Sequence, residues 1–372
     1  MADGLTEALI TDLGESSPLR VVGRTSVNQY FRTKKPIREI ARELNVGVVV
    51  EGTVAQSDDR LRVTANLIQV SPEKHIWAHT YERNIRDTLA LQNEVAATIA
   101  GEVRAKLRPE QRIRLARSRP VSPEAQLAYW KARSLLDHAR GDPEVHRKTI
   151  EYSQQAVGFD PSFAPAHAAL ARSYAGMSDI GGAFPREVMP RARAAAQRAV
   201  ALDEELAYAH VALGYVLLTY DRDWAGAERE GRRAISLNPS DAEAHWLLSN
   251  YLAAVGRVDE AVVEMKRARD LDPLSFHLNW NVGRMLCLAR KYNEALAELR
   301  RTGDMQQSPG VEIWVFKSYW MKAQVDDAIT VDLGIRRISG PPQRGIAGRF
   351  AIGVPAKGTT GLLGEAEGTG AS

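Results

Sequence analysis

The sequence of 372 residues contains one cysteine, no long apolar run and almost no net charge. Each shortage removes a class of explanation. A lone Cys287 rules out an intramolecular disulfide and a zinc site built on several thiolates. Set in Met285-Leu286-Cys287-Leu288, it reads as a small buried hydrophobe. No apolar run approaches the ~18 residues that a membrane span needs. The first residues, Met1-Ala2-Asp3-Gly4-Leu5-Thr6-Glu7, have neither the basic start nor the apolar core of a secretory signal. The chain as it stands is therefore expected in the cytoplasm, with the periplasm open if it is part of a longer, membrane-anchored parent. Lys and Arg number 49 against 46 Asp and Glu, a net +3, which gives no whole-chain case for nucleic acid or membrane partners.

Catalytic signatures are equally scarce. There is no Gly-x-x-x-x-Gly-Lys phosphate loop and no Gly-x-Ser-x-Gly elbow. Gly361-Leu362-Leu363-Gly364 follows no strand and opens no helix, so it cannot cradle a phosphate. His75-x-x-x-His79 would hold a metal on a helix, but the segment reads as a strand, where four residues span about 13 Å. Asp58-Asp59 reads as the tip of a hairpin. No metal, no cofactor and no enzymatic activity are expected of this chain.

What the sequence does contain is a repeat of 34 residues. Its clearest copy starts at Asp241-Ala242-Glu243-Ala244-His245. With His245 as position 4, Leu248, Ser249, Leu252, Gly256, Ala261, Met265, Ala268 and Pro273 follow at 7, 8, 11, 15, 20, 24, 27 and 32. Small residues at 8, 20 and 27 let two helices pack closely, larger ones at 7, 11 and 24 fill the gaps, and proline closes the unit. The register recurs at Val282, Gly283, Leu286, Ala295 and Leu299. It appears earlier at His210, Leu213, Gly214 and Leu217, continuing through Ala227, Gly231 and Ala234 with one inserted residue. A further copy opens at His167, Leu170, Ala171 and Tyr174, with a long loop around Gly181-Gly182. Degenerate copies flank these, one over Pro123 to Pro161 and a partial one with Val315, Tyr319 and Ala328. This pattern resembles the tetratricopeptide repeat (TPR) over residues 123–330, and implies an α-solenoid.

Residues 1–108 read differently, as a small α+β unit. Helices are expected over Leu5–Leu13, Ile37–Leu44 and Leu89–Leu107, and strands over Leu19–Val22, Val46–Val54, Leu61–Leu67 and Ile76–Tyr81. The segment resembles the N-terminal domain of TolB and TolB-like modules of bacterial signalling proteins. The resemblance rests on Ala2-Asp3-Gly4-Leu5-Thr6-Glu7, on Ile40-Ala41-Arg42-Glu43-Leu44 followed by Val48 to Gly52, and on His75-Ile76-Trp77-Ala78 with Tyr81-Glu82-Arg83. It implies a module that precedes TPR repeats and often follows a winged-helix, cyclase or kinase domain. It also implies an initial apolar strand, which is not present before Ala2, so a longer parent polypeptide is expected. Residues 109–122 read as a basic linker; Arg104 to Arg119 holds seven basic residues and one acid, Glu110, with no interleaved aromatics, and reads as a solvated connecting helix. Residues 331–372 read as a disordered tail, since nine of the last 33 residues are glycine.

In the TPR family, positions 2, 5, 9 and 12 of each first helix line a concave groove. Carried over, the resemblance points to Tyr208, Val211 and Tyr215, then Glu243, Trp246 and Asn250, then His277, Trp280 and Arg284. Aromatics with an asparagine and an arginine suit a peptide or protein ligand. Trp246 and Trp280 can equally be read as packing between repeats. Lysine is absent from position 5 beside Asn250, which argues against the chaperone-tail ligand of some family members. The expected function is a protein-interaction scaffold or sensor of a bacterial signalling system. The alternatives are the C-terminal regulatory part of a larger cyclase, kinase or winged-helix regulator, and a periplasmic transport accessory like TolB.

Overall fold

The computed structural model describes residues 20–31, 33–57, 59–84, 121–138, 142–306 and 308–339, together with scattered positions in 6–14 and 91–98. The expected basic linker and most of the Leu5–Leu13 and Leu89–Leu107 helices lie outside the described residues, as does the tail from 340 onward.

The N-terminal unit has helices α1 (Arg24–Asn28) and α2 (Ile37–Leu44) and strands β1 (Val48–Ser57), β2 (Arg60–Val70) and β3 (Glu73–Asn84). Asn45 takes the left-handed conformation, φ 52°, that ends α2. The strands form an antiparallel meander in the order β1-β2-β3. Along β2, Leu61, Val63, Ala65 and Leu67 are buried in alternation and pack with Tyr81, Leu91 and Val95. The expected strand at Leu19–Val22 does not form. Its described part runs as irregular chain into α1, because its backbone is engaged elsewhere: the Val21 amide donates to Ser240 Oγ (3.4 Å) and the Gly23 amide to the Leu271 carbonyl (2.6 Å).

From Pro123 the chain folds into helix pairs: α3 (Pro123–His138) with α4 (Pro143–Phe159), α5 (Ala164–Asp179) with α6 (Pro185–Leu202), α7 (Ala207–Val216) with α8 (Trp224–Leu237). The series continues with α9 (Ala242–Ala254) and α10 (Val258–Leu271), α11 (Phe276–Leu288) and α12 (Tyr292–Met305), α13 (Pro309–Met321) and α14 (Val325–Ser339). This is a mainly α, TPR-type solenoid behind a small α+β lead-in. Helix α14 continues to Ser339, into the segment read as a tail from residue 331. Side-chain caps open several helices: Asp241 accepts from the Glu243 and Ala244 amides (2.8 and 3.3 Å), Asp223 from Gly226 (2.9 Å). The inserted residue of the third pair is absorbed by a π-helical turn, Leu217–Asp221, at the end of α7.

Close packing explains the small residues. A Cβ on Gly283 would lie 2.5 Å from Leu299 Cγ, and one on Gly214 2.7 Å from Leu247 Cδ2. Leu247, Met265, Met285, Leu286 and Leu299 fill the space between pairs and are fully buried. Position 4 has a repeated duty. The Nε2 of His167, His210 and His245 reaches the carbonyl six residues back, on Pro161 (3.0 Å), Glu204 (2.8 Å) and Pro239 (3.2 Å). Asn279 Nδ2 donates to the Pro273 carbonyl (2.8 Å) in the same way. Each contact ties a helix start to the turn before it and satisfies a turn carbonyl.

The N-terminal unit is fastened to two of these turns. Ser26 donates its amide (2.7 Å) and its hydroxyl (2.5 Å) to Asp272 Oδ1, and its Oγ accepts from the Leu274 amide (2.8 Å). At the corresponding turns Asp160 Oδ1 accepts from Ser162 N (3.0 Å) and Asn238 Oδ1 from Ser240 N (3.0 Å). Ser26 thus takes the place of the local side-chain turn at Asp272. Arg20 donates to the Asp270 carbonyl (2.6 Å) on the solenoid and to the Asn45 carbonyl (2.6 Å) after α2, bridging both units.

Candidate partner-binding groove

The first helix of each pair touches the first helix of the next, so α3, α5, α7, α9, α11 and α13 line one face. With the position-4 residue as reference, position 9 is Arg172 on α5, Tyr215 on α7, Asn250 on α9 and Arg284 on α11. Counting from Ala132 at position 8, Arg133 on α3 is also a position-9 residue. These side chains meet across repeats. The Arg172 guanidinium lies 4.8 Å from the Tyr215 ring centre and 5.5 Å from that of Trp246. Arg133 sits 4.3 Å over Tyr208. Tyr215 and Trp246 stack at 5.4 Å, Trp246 meets His277 at 5.5 Å, and His277 meets Trp280 at 6.0 Å. The result is a continuous ladder of rings and guanidinium groups over α7, α9 and α11.

The polar groups of the ladder are tied together. Tyr215 donates its hydroxyl to Asp179 Oδ2 (2.7 Å), and Glu243 stands 3.6 Å from Arg172. Arg284 donates to Asn250 Oδ1 and, at 2.9 Å, to Asn281 Oδ1. Asn250 in turn donates to the Trp246 carbonyl (2.8 Å). Burial pushes the Asp179 carboxyl up, against the Tyr215 hydrogen bond and the Arg172 charge. Enclosure, then the charges of Arg172 and Arg284, push the His277 imidazole down, to about 4. His277 is nonetheless exposed to solvent, which works against that shift.

The structure distributes the residues expected in the groove unevenly. Tyr208, Tyr215, Glu243, Trp246, Asn250, His277 and Arg284 all join the contacts just described. Val211 does not: it is fully buried between Ala234 and Ala244 and has no surface to offer. Its position faces inward because α7 and α9 pack tightly around small side chains. Trp280 has a structural duty, since its Nε1 donates to the Gly310 carbonyl (3.2 Å) and its side chain packs against the cluster of Leu296, Leu299, Val311 and Val315.

No family model matches the chain. Among curated proteins it is similar to the one named "Putative adenylate cyclase 3" of Rhizobium meliloti (strain 1021), 33% identical over 222 residues, which cover 58% of this chain and 37% of that protein. The chain thus spans little more than a third of that relative. Among solved structures it is similar to pilF of Pseudomonas aeruginosa, with 16% identity and a TM-score of 0.42, over 59% of this chain and 93% of that one. It is also similar to the human IFIT1 dimer with PPP-AAAA, with 15% identity and a TM-score of 0.49, over 67% of this chain and 58% of that one.

Arg133 and Arg172 were not among the residues expected in the groove. The signal was present, because the position-9 rule that gives Tyr215 from His210 gives Arg172 from His167. Asp179 carries no such signal; it lies at the end of α5 and is recruited only by the Tyr215 hydroxyl. His75 and His79, the other candidate pair, lie on β3, where His79 stacks on Trp77 at 5.9 Å. Among the described residues no cluster of three or more metal-ligating side chains forms, and no helix is long and apolar enough to cross a membrane.

Proposed function

We propose that this chain is a non-enzymatic interaction module, which holds a protein or peptide partner along the ladder from Tyr208 to Arg284 and relays occupancy to the N-terminal unit. The observation that carries this reading is the ladder itself. Rings on three successive first helices stack in series, with Trp246 half-buried and His277 exposed above the buried Tyr215, beside fixed guanidinium and amide groups, the mixture that gives contact area and orientation together. A physical connection supports the relay. Helix α11, which bears His277 and Arg284, begins at the Asp272–Leu274 turn that Ser26 clamps.

The similarity to a protein named as an adenylate cyclase, of which the chain spans about a third, favours a second reading on a larger scale: a regulatory part of a longer signalling polypeptide, with any catalysis in another segment. The TolB-like resemblance of residues 1–108 fits the same setting. The test is partner affinity by calorimetry, using whatever copurifies with the full native polypeptide. Trp246→Ala should weaken binding at least tenfold while helical circular dichroism persists. Trp280 is unsuitable for this test because it also holds α13. Unchanged affinity in Trp246→Ala sinks the groove reading.

A further inference from the structure

Arg284 is an unusual member of the ladder. Its guanidinium lies on α11 at the groove floor, held by two amide oxygens, Asn250 Oδ1 and Asn281 Oδ1. Among the described residues no carboxylate forms an ion pair with it, whereas Arg172 has Glu243 and Arg193 has Asp221. Burial works against its charge, yet an arginine stays protonated. Amide oxygens satisfy donors but do not neutralise charge, so a half-buried cation without a counter-ion leaves an electrostatic vacancy. A second donor points the same way: the Trp246 Nε1 hydrogen is buried and has no acceptor. It belongs to the ring that meets His277 at 5.5 Å.

Arg133, Arg172 and Arg284 share position 9, and the charges of Arg172 and Arg284 both bear on Tyr215 and on His277. The nearby carboxylates are engaged elsewhere or buried. Glu243 is engaged by Arg172, and Asp179 is pushed up by burial. Asp241 is spent as the cap of α9 and is pushed up to about 6 by burial and by Glu243. The ladder ends at Arg284, but the face of first helices continues onto α13, so a ligand lying along it can pass this point.

Resting on the groove reading above, we propose that the partner is an acidic, extended peptide segment, with an internal Asp or Glu side chain seated on Arg284, and apolar side chains on the Trp246 and His277 rings. An extended strand alternates its side chains, so acidic and apolar residues in alternation would address the arginine row and the ring row at once.

The experiment is fluorescence anisotropy on the full chain. The probes are amidated peptides of about 14 residues in which Glu alternates with Leu, and the same peptides with Gln or Lys in place of Glu. The Glu peptide should bind about tenfold tighter than the Gln peptide, and the Lys peptide not measurably. Arg284→Gln should bring Glu and Gln peptides within about twofold of each other, with helical content retained. Equal binding of Glu and Gln peptides by the unaltered chain overturns the acidic assignment and leaves the groove reading standing. No binding of any peptide, with no Trp246-dependent fluorescence change, overturns both. A free C-terminal carboxylate that raises affinity about tenfold over the amide, or an RNA oligonucleotide that outcompetes the Glu peptide, overturns the proposal in favour of a chain end or a phosphate backbone.

Discussion

Replacing Ser26 by alanine tests how firmly the two units are joined. The side chain is fully buried, and its hydroxyl makes two hydrogen bonds: one given to the Asp272 carboxylate, one accepted from the Leu274 amide. The first is charge-assisted and contributes about 1.5–3 kcal/mol; the second leaves a backbone donor unpaired when it is lost, costing about 1–3 kcal/mol. Asp272 keeps the Ser26 amide, and the Leu274 amide can fall back on Asp272 Oδ1, as Ser162 does on Asp160. That fallback sets the expected cost near the lower end, about 2 kcal/mol, or roughly a thirtyfold rise in local opening of the joint. Hydrogen exchange read by mass spectrometry is the assay. Amides of residues 23–28 and 271–275 should lose protection by that factor, while those in the middle of α10 stay protected. Gln29→Ala is the control, because its exposed bond to the Leu274 carbonyl (3.0 Å) contributes only about 0.5 kcal/mol, the low end for a hydrogen bond. Unchanged exchange in Ser26→Ala would refute the idea that this serine clamps the turn.

Three further outcomes follow from the same structure. His210 donates to the Glu204 carbonyl and faces Glu230 through Nδ1 (2.6 Å). Burial pulls its pKa down, but the Glu230 and Glu204 contacts outweigh it, so the folded value is raised. Its contribution is therefore fully present below the ordinary value near 6.5 and is lost as pH rises through the raised value; Glu230→Gln should flatten that part of the melting-temperature profile. Gly256→Ala should cost about 1–2 kcal/mol in urea unfolding through backbone strain alone, because φ is +84° and an added Cβ would meet nothing within 4 Å. Leu67→Ala, at a fully buried site in the sheet, should cost about 2–5 kcal/mol and melt the N-terminal unit first, as followed by exchange in β2.

What could be read from the sequence depended on how each element is held. Helix α2 appears with the ends that its apolar spacing gives, Ile37 and Leu44, and the hairpin turn falls at Ser57–Arg60. Strand β3 is longer than Ile76–Tyr81 because most of it is exposed, so only its centre has an apolar signature. The helix pairs were legible because each must bury small and large residues in a fixed order. The Leu19–Val22 segment was not. Its apolar residues suggest a strand, but it is the Ser26 and Gly23 contacts with a turn some 250 residues away that set its course, and those use backbone and hydroxyl groups with no periodic signature. Position rules named most of the side chains that meet along the first helices, but could not show that Val211 is buried with Ala234 and Ala244, or which of the two readings of Trp280 holds, since packing between neighbouring repeats decides both.

The most direct test of the groove is photo-cross-linking in native cells, with benzoylphenylalanine placed either at His277 or at Arg267. His277 is exposed on the ladder and Arg267 is exposed on the second helix of the preceding pair. A discrete adduct from His277, lost when Trp246 is also changed to alanine, is the result predicted here. Adducts of equal yield from both positions, or from Arg267 alone, would place the partner elsewhere on the solenoid and contradict it.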